Sequence, residues 1–238
     1  MIFQGILTNI KEMTIIYSIE GSIGSGKSTL LEMLKLFFKD DSKYYFIDEP
    51  IHIWETITDK RGETILSKFY ANQARYAFPF QMMAYISRIS MLKQAVKEHP
   101  GKILICERSV LTDRNVFAQM LHDAGHIEDV ELQIYQKWFD EFIEDIPVTG
   151  VIYVRAAPET SHARVLKRAR PGEDIPLEYL KQCHEYHEKW LATSDNKLVL
   201  DADDHKEMRE EDYMEWLEQI NRFISARSSN TTSTVCAL

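Results

Sequence analysis

The stretch that decides the fold is Gly21-Ser22-Ile23-Gly24-Ser25-Gly26-Lys27-Ser28-Thr29. It follows a short apolar run and opens a helical pattern, the context in which such a glycine-rich sequence forms a phosphate-binding loop. The glycines let backbone N–H groups turn inward around a phosphate, and the following helix adds the positive end of its dipole. Lys27 can supply charge to the β and γ phosphates, and the Ser28 hydroxyl can hold Mg²⁺. The loop therefore predicts a nucleotide-binding site.

Short apolar runs alternate with longer periodic runs along the rest of the chain. The strand candidates are residues 14–20, 44–48, 102–107, 150–154 and 197–201. The helix candidates are residues 27–39, 71–98, 128–144, 158–168, 176–193 and 207–224, the third with Val130, Ile134, Trp138 and Phe142 on one stripe. The strand candidates lack polar alternation, as expected for parallel strands buried on both faces. The β-α-β-α order predicts a doubly wound α/β domain.

Composition excludes several classes of function. The 238 residues include 28 Lys and Arg against 37 Asp and Glu, a net charge of −9 that is poorly suited to general nucleic-acid binding. No apolar run reaches membrane-spanning length, and the few, widely spaced cysteines fit a reducing compartment. We expect a domain over residues 14–224 with an N-terminal extension, 1–13, and a disordered tail, 225–238. We also expect no nucleic-acid or membrane partner and a cytoplasmic location, with the nucleus as the alternative.

Charged residues follow the second and third strands at the edge where open α/β sheets bind ligands. The second strand ends in Asp48-Glu49-Pro50, where Glu49 can accept a proton from a substrate hydroxyl, although a carboxylate here can also cap a helix. The third ends in Glu107-Arg108-Ser109. Glu107 could anchor magnesium through water, and Arg108 could hold a reacting hydroxyl or Glu49. The alternative for this pair is a surface ion pair.

The long helix candidate carries Gln81, Ala84 and Arg88 on one stripe. A glutamine can pair with the edge of a base, and an aromatic ring such as Phe80 can stack on it. The alternatives are core packing for the aromatic residues and a solvated face for Gln81 with Arg88.

A basic cluster formed by Arg164, Arg168 and Arg170 stands out in this acidic chain. Clustered guanidinium groups suit the spread charge of a transferring phosphoryl group. The following Pro171-Gly172 favours a mobile flap, a lid, over the alternative of a solvated charged face.

Together these motifs resemble the deoxyribonucleoside kinase family over residues 14–223. Besides the stretches already quoted, the resemblance is carried by Phe80-Gln81 to Ser87-Arg88, Val110-Leu111-Thr112-Asp113-Arg114, Ala157-Pro158-Glu159-Thr160 and Ile175-Pro176-Leu177-Glu178-Tyr179. It implies a P-loop kinase with a five-stranded parallel sheet flanked by helices, usually a homodimer. It also implies transfer of the γ-phosphoryl group of ATP, with Mg²⁺, to the 5′-hydroxyl of a deoxynucleoside in nucleotide salvage.

The resemblance also implies roles by position. Glu49 would be the general base, Arg108 would hold the 5′-oxygen, and Lys27 and Arg168 would complete the catalytic set. The nucleotide would be bound by residues 21–29, by Arg164, Arg168 and Arg170, and by Asp203 within a loop, 201–205, over its base. The nucleoside would contact Glu49, Trp54, Leu66, Tyr70, Phe80, Gln81, Ala84, Arg88, Arg108, Asp113, Phe117 and Glu173. Ser28 and Glu107 would be the metal-binding residues.

One departure concerns the segment between Arg170 and Ile175, which is one residue shorter than in mammalian deoxycytidine kinases. Glu173 and Asp174 therefore compete for the 3′-hydroxyl, a contact that Tyr70 would share, and we favour Glu173.

The base preference follows from Ala84, Arg88 and Asp113, the residue types that the resemblance associates with deoxycytidine and deoxyguanosine kinases. A carboxylate at Asp113, oriented by Arg88, can accept from an exocyclic amine, whereas thymine offers a carbonyl and a methyl group there. We expect deoxycytidine and purine deoxynucleosides ahead of thymidine. The alternatives are a thymidylate-kinase-like nucleoside-monophosphate kinase, which would need more basic groups near the acceptor, and a non-catalytic nucleotide-binding relative.

Overall fold

One parallel sheet organises the molecule, of which the computed structural model describes residues 15–143, 146–170, 173–203 and 210–235. The strands are β1 (Ile15–Glu20), β2 (Tyr44–Ile47), β3 (Ile103–Glu107), β4 (Gly150–Arg155) and β5 (Lys197–Asp201). Their order is β2-β3-β1-β4-β5, and every neighbouring pair is parallel. The predicted five-stranded parallel sheet is confirmed, and it agrees with the lack of polar alternation in the strand sequences, which is typical of strands covered on both sides.

Helices cover both faces of this sheet. They are α1 (Lys27–Phe37), α2 (Ile51–Glu55), α3 (Ile65–Ala71), α4 (Gln73–Glu98), α5 (Val110–Thr112), α6 (Gln119–Asp123), α7 (Asp129–Ile143), α8 (Pro158–Arg168), α9 (Leu177–Ala192) and α10 (Glu210–Val235), with a π-helical turn at Asp113–Ala118 between α5 and α6. Consecutive residues of β1 enter different cores: Ile16 packs in the cluster with α4 and α7, and Tyr17 in the cluster with α1 and α10. This alternation across the strand explains why its sequence shows no alternation of polar and apolar residues.

The helix predicted over residues 71–98 is α4, which begins at Gln73, and it is separated at Asn72 from α3, of which Ala71 is the last residue. The Asn72 backbone N–H closes α3 on the Lys68 carbonyl at 2.9 Å, and its side-chain oxygen accepts from the Arg75 N–H at 3.2 Å. A single asparagine can thus end one helix and cap the next, since its side chain replaces the missing backbone partner. The short helices α2, α3, α5 and α6 and the π-helical turn had no counterpart in the prediction.

Three of the four residues in the apolar stripe predicted on α7 do not face the core, whereas the fourth, Phe142, is partly buried against it. Val130, Ile134 and Trp138 are 60%, 45% and 49% exposed, whereas Tyr135 and Phe139 are buried against α4. Apolar residues occur on two sides of this helix, and periodicity alone does not say which side packs on the sheet. The structure therefore leaves an unpaired apolar face on α7.

The final helix continues beyond residue 224 to Val235, a helical backbone in the range where the sequence predicted a disordered tail, 225–238. The segment consists of small polar residues that can bury little apolar surface, which is why its composition predicts disorder. A helix that is already formed, however, can be extended by one residue and one hydrogen bond at a time. Residues 1–14, which hold the predicted N-terminal extension, lie outside the described residues, and the domain limits stay a prediction. None of the helices described is long and apolar enough to cross a bilayer.

Candidate active site

The glycine-rich loop joins β1 to α1 and wraps tightly. Gly26 caps α1 with φ 106°, a conformation that favours glycine. A Cβ at Gly24, where φ is 82°, would lie 2.4 Å from the Ser161 carbonyl oxygen of α8, so this position tolerates no side chain. Lys27 is buried, and its Nζ donates to the Ser22 carbonyl at 2.7 Å. The loop has the form expected of a phosphate-binding loop.

Lys27 is an ammonium group held out of water. Burial lowers its pKa to about 7, and the neighbouring Arg108 acts in the same direction, against the attraction of Glu107 and Glu49. A phosphate arriving at the loop would add further negative charge beside Lys27 and favour its charged form.

Glu49 follows β2 and meets two guanidinium groups through one oxygen. Its Oε1 accepts from Arg108 Nη1 at 2.6 Å and from Arg88 Nη2 at 3.2 Å. Burial raises the pKa of this carboxyl, but Arg108, Arg88 and Lys27 outweigh that effect and lower it to about 2. Glu49 is thus ionised at neutral pH, and the helix-cap alternative does not describe its contacts.

Arg108 follows β3 and reaches across the site. Its guanidinium contacts Glu49, lies 5.4 Å from the ring centre of Phe117, and donates from Nη2 to the Gly21 carbonyl at 3.4 Å. Its backbone φ is 61°, which is unusual for any residue but glycine. Arg108 is buried, so the surface ion-pair alternative is wrong.

Ser28 and Glu107 lie together beside the loop. The Ser28 hydroxyl donates to Glu107 Oε1 at 2.8 Å, and burial, with Glu49 nearby, raises the pKa of Glu107. Among the described residues no group of three or more His, Cys, Asp or Glu could hold a metal ion by itself. Two oxygen ligands fit Mg²⁺, which keeps several waters and takes other ligands from substrate phosphates.

Arg88 and Asp113 form a buried, two-point ion pair. Arg88 Nε donates to Asp113 Oδ2 at 2.9 Å and Nη2 to Oδ1 at 3.4 Å. They are 4% and 1% exposed, and Gln81 is 2% exposed. The solvated-face alternative for Gln81 and Arg88 is therefore wrong. Gln81 Oε1 is buried with no partner in the described part of the chain, as expected of a group that awaits a ligand.

Aromatic side chains line the part of the site next to Gln81. Phe80 packs edge-on to Trp54 at 5.4 Å and stacks on Phe69 at 4.8 Å. The Trp54 Nε1–H donates to the Ser87 hydroxyl at 2.9 Å, which fixes the plane of the indole. These contacts make a flat slot of the kind that receives an aromatic ring.

The predicted lid starts at the C-terminal end of α8. Arg164 bridges the Ser25 carbonyl at 3.1 Å and the Ala202 carbonyl at 3.0 Å. Arg168 forms an ion pair with Glu173, and Arg170 lies 3.8 Å from the same carboxylate. Pro171 and Gly172, on which the flap prediction depended, lie outside the described residues, as do residues 204 and 205 of the predicted nucleotide loop.

One cavity of about 370 Å³ joins these groups. Its lining includes every residue predicted to contact the nucleoside, together with Ile23, Gly24, Gly26, Lys27, Ser28, Thr29, Glu107, Arg164, Arg168 and Arg170. Glu173 lines it, whereas Asp174 is exposed, which supports the choice of Glu173.

The cavity differs from the prediction at its edges. Gly21, Ser22, Ser25 and Asp203 are not among its lining residues. The Asp203 carboxylate instead accepts from the Ala157 N–H at 2.7 Å, where α8 begins. The sequence interpretation missed Ile51, Phe69 and Tyr179, which do line the cavity. Tyr179 is the last residue of a stretch that carried the family resemblance, so that resemblance could have identified it. Ile51 and Phe69 give no signal in the sequence beyond being apolar.

Comparisons with known proteins agree with this geometry. The family model described as deoxynucleoside kinase matches residues 17–225. A probable deoxycytidine kinase of Fowlpox virus is 39% identical over 179 residues, 74% of this chain and 71% of the relative. Human deoxycytidine kinase is 32% identical over 248 residues, 92% of each chain. The mitochondrial deoxyguanosine kinase of Xenopus laevis is 34% identical over 212 residues, 79% of each.

Proposed function

The chain belongs to the deoxynucleoside kinase family, and from that membership we propose that its preferred acceptors are deoxycytidine and purine deoxynucleosides ahead of thymidine, with ATP as the donor. It is a kinase that takes a small deoxynucleoside as substrate and a nucleotide as phosphate donor. The observation that carries the proposal is the single cavity that runs from Lys27 in the phosphate loop, past Glu49, to Gln81 and Asp113.

Proton removal from the acceptor is assigned to Glu49. The 5′-hydroxyl of the nucleoside would donate to the ionised carboxylate, and its proton would pass to Glu49 as the oxygen bonds to phosphorus. Arg108 contacts the same carboxylate, and this contact supports the proposal that it would hold the 5′-oxygen in line. An alcohol is a weak nucleophile until its proton has a destination, so this contact supports an alcohol acceptor.

We assign the neutralisation of negative charge on the transferring phosphoryl group to the basic residues around it. Lys27, Arg164, Arg168 and Arg170 all line the cavity and can offset the negative oxygens of the phosphoryl group. Mg²⁺, held through Ser28 and Glu107, would supply further positive charge to the phosphate oxygens. Because Arg168 is paired with Glu173, the lid would exchange this partner for phosphate when the donor binds.

Base recognition is assigned to Gln81, Asp113 and Phe117. The Gln81 side chain, whose buried amide oxygen has no partner among the described residues, can pair with a base edge, and Phe117 can stack on the ring. Asp113, fixed by Arg88, can accept from an exocyclic amine, and a thymine methyl group would meet this buried charged pair instead. The small Ala84 leaves space for a purine.

The test is a survey of phosphate transfer. ATP is offered with each of the four common deoxynucleosides and, separately, with their monophosphates, and kcat/KM is measured for each. The proposal expects transfer to the nucleosides, with deoxycytidine or a purine deoxynucleoside first. Transfer to monophosphates alone would favour the thymidylate-kinase-like alternative, and binding without transfer the non-catalytic one.

We also propose that the chain forms a homodimer through α4 and α7. These helices pack side by side, with the Tyr85 hydroxyl donating to the Trp138 carbonyl at 2.8 Å. Beside the exposed residues of α7 already described, Ile86 of α4 is 47% exposed. Several exposed large apolar residues on two adjacent helices are typical of an interface. Ile134→Glu should convert a dimer to a monomer in sedimentation; a wild-type monomer would refute the proposal.

A cytoplasmic location, with the nucleus as the alternative, is the last part of the proposal. Cys106 and Cys183 are buried free cysteines, which suits a reducing compartment. Imaging of the fluorescently tagged chain in living cells would test it.

A further inference from the structure

Glu20, the last residue of β1, is a buried carboxylate for which the proposed reaction has no role. It is 0% exposed and immediately precedes the phosphate loop. Its Oε1 accepts from the Ser109 backbone N–H at 2.9 Å and from the Ser109 hydroxyl at 2.7 Å. Its Oε2 accepts from the Thr112 hydroxyl. A carboxylate is costly to bury, so three donors on one such group indicate a specific structural task.

That task concerns Arg108, the residue next to Ser109. Arg108 has a left-handed backbone, φ 61°, which non-glycine residues adopt only where their surroundings force them. On one side its own N–H donates to the Ile19 carbonyl at 2.9 Å. On the other side the turn is held by Glu20 through Ser109. Two neighbouring residues of β1 thus fix the strained turn from both ends.

The conformation of this turn decides where the Arg108 guanidinium points. With φ positive, the side chain reaches Glu49 at 2.6 Å. If the hold on Ser109 were released, the backbone would relax toward negative φ and carry the Arg108 Cβ, and with it the guanidinium, away from Glu49. The Thr112 hydroxyl, which binds the other oxygen of Glu20, keeps this carboxylate turned toward Ser109.

We propose that Glu20 is a positioning residue for phosphoryl transfer: by fixing the Arg108–Ser109 turn, it keeps the Arg108 guanidinium on Glu49. This inference rests on the proposed function, because it assumes that Arg108 and Glu49 act on the acceptor hydroxyl. Glu20 itself does not line the cavity and acts through Arg108. The inference therefore concerns the rate of transfer and not the binding of either substrate.

The decisive variant is Glu20→Gln, which keeps the shape of the side chain and one carbonyl oxygen for Ser109. Its amide NH₂ replaces one acceptor oxygen, and the Thr112 hydroxyl must then turn to accept. We expect kcat to fall about 10- to 100-fold, the size of effect that a misplacement of ~1 Å produces. The dissociation constants of ATP and of the nucleoside should change less than about threefold, because no contact to either is removed.

A double-mutant cycle separates positioning from general damage. In an Arg108→Ala background Glu20→Gln should lower kcat less than about twofold further, since the group that it positions is gone. Equal losses in both backgrounds, or an unchanged kcat in the single variant, would overturn the inference. The matched control is Glu188→Gln, which removes a carboxylate that accepts from Tyr153 outside the cavity; its kcat should stay at the wild-type value.

Milder variants decide the question if Glu20→Gln does not fold. Ser109→Ala and Thr112→Val each remove one hydroxyl donor to Glu20, and each should lower kcat by a smaller factor that vanishes in the Arg108→Ala background. Wild-type rates in both would overturn the inference. The survey of acceptors distinguishes failure of this inference from failure of the proposed function. A wild-type chain that transfers phosphate to no deoxynucleoside overturns the proposed function, and this inference with it.

Discussion

Nη1 of Arg108 lies 2.6 Å from Oε1 of Glu49, and the two residues come from neighbouring strands of the sheet, 59 positions apart in the chain. The same oxygen accepts from Arg88. These cations keep the pKa of Glu49 at about 2, so the free protein presents a carboxylate that is ready to accept but weakly basic. A donor phosphate that draws Arg108 and Lys27 toward itself would raise the basicity of Glu49 at the moment it is needed.

Removing this base should stop turnover. We predict that Glu49→Gln lowers kcat by about 10²–10⁴-fold, the usual contribution of a positioned general base, while nucleoside affinity changes far less. Steady-state kinetics and equilibrium binding of the nucleoside measure the two effects. Asp48→Asn is the matched control, because Asp48 is the exposed neighbour that pairs with Lys35 outside the cavity. Near-normal turnover of Glu49→Gln would contradict the assignment.

Donor binding should take up a proton through Lys27. Burial lowers the pKa of this lysine to about 7, so at pH 8 it is mostly neutral in the free protein, and bound phosphates favour its charged form. ATP affinity should therefore fall as pH rises above 7, by up to about tenfold per pH unit.

Calorimetry at pH 8 in buffers of different ionisation enthalpy measures the proton taken up on ATP binding. Lys27→Arg stays charged and should show a smaller uptake and a flatter affinity profile between pH 7 and 8.5. Identical proton uptake in the two proteins would rule out Lys27 as the titrating group.

The lid arginine should act on rate more than on nucleoside binding. Arg168→Ala removes a charge placed to meet the transferring group, and we predict a loss in kcat of about 10²–10³-fold. Nucleoside affinity should change little, although the pair with Glu173 is also lost. Lys167→Ala, an exposed basic neighbour on α8, is the control. An effect of Arg168→Ala on nucleoside affinity alone would refute the lid assignment.

The Arg88–Asp113 pair should set base preference. Arg88→Met with Asp113→Ala replaces a charged wall by apolar room for a methyl group, and we predict a shift of kcat/KM toward thymidine relative to deoxycytidine. The ratio is the proper measure, because Arg88 also contacts Glu49 and its loss lowers all rates. Thymidine as the best substrate of the wild-type enzyme would contradict this interpretation.

The same pair gives a stability test. Asp113→Ala alone leaves the Arg88 guanidinium buried with a weakened set of partners, and breaking a buried pair on one side costs about 3–5 kcal/mol. The double variant removes both charges and should melt at a higher temperature than the Asp113→Ala variant. Thermal unfolding of the three proteins provides the comparison; equal melting of single and double variants would mean that Glu49 and the Glu107 carbonyl satisfy Arg88 by themselves.

The sequence by itself determined the sheet and most of the candidate site. The five strands could be predicted to within one residue at each end, because unbroken apolar runs of this length admit few other structures. The phosphate loop was evident from residues 21–29, since glycine and lysine spacing fixes its backbone locally. The residues proposed to bind the nucleoside were identified from motifs in a fixed order along the chain. Because these motifs resemble those of a family, they also predict that the residues lie together in space.

The tertiary structure alone decided which partners those residues meet. Sequence reasoning left Arg108 with two candidate partners, and only the packing of β3 between β2 and β1 brought it to Glu49 and placed Glu20 behind its turn. Likewise, periodicity on α7 could not distinguish the side that carries Tyr135 from the side that carries Trp138. The reason is physical, because local patterns constrain the backbone only within a segment. Burial and charge pairing depend on the distances between residues far apart in the chain, and these distances are set only when the segments pack together.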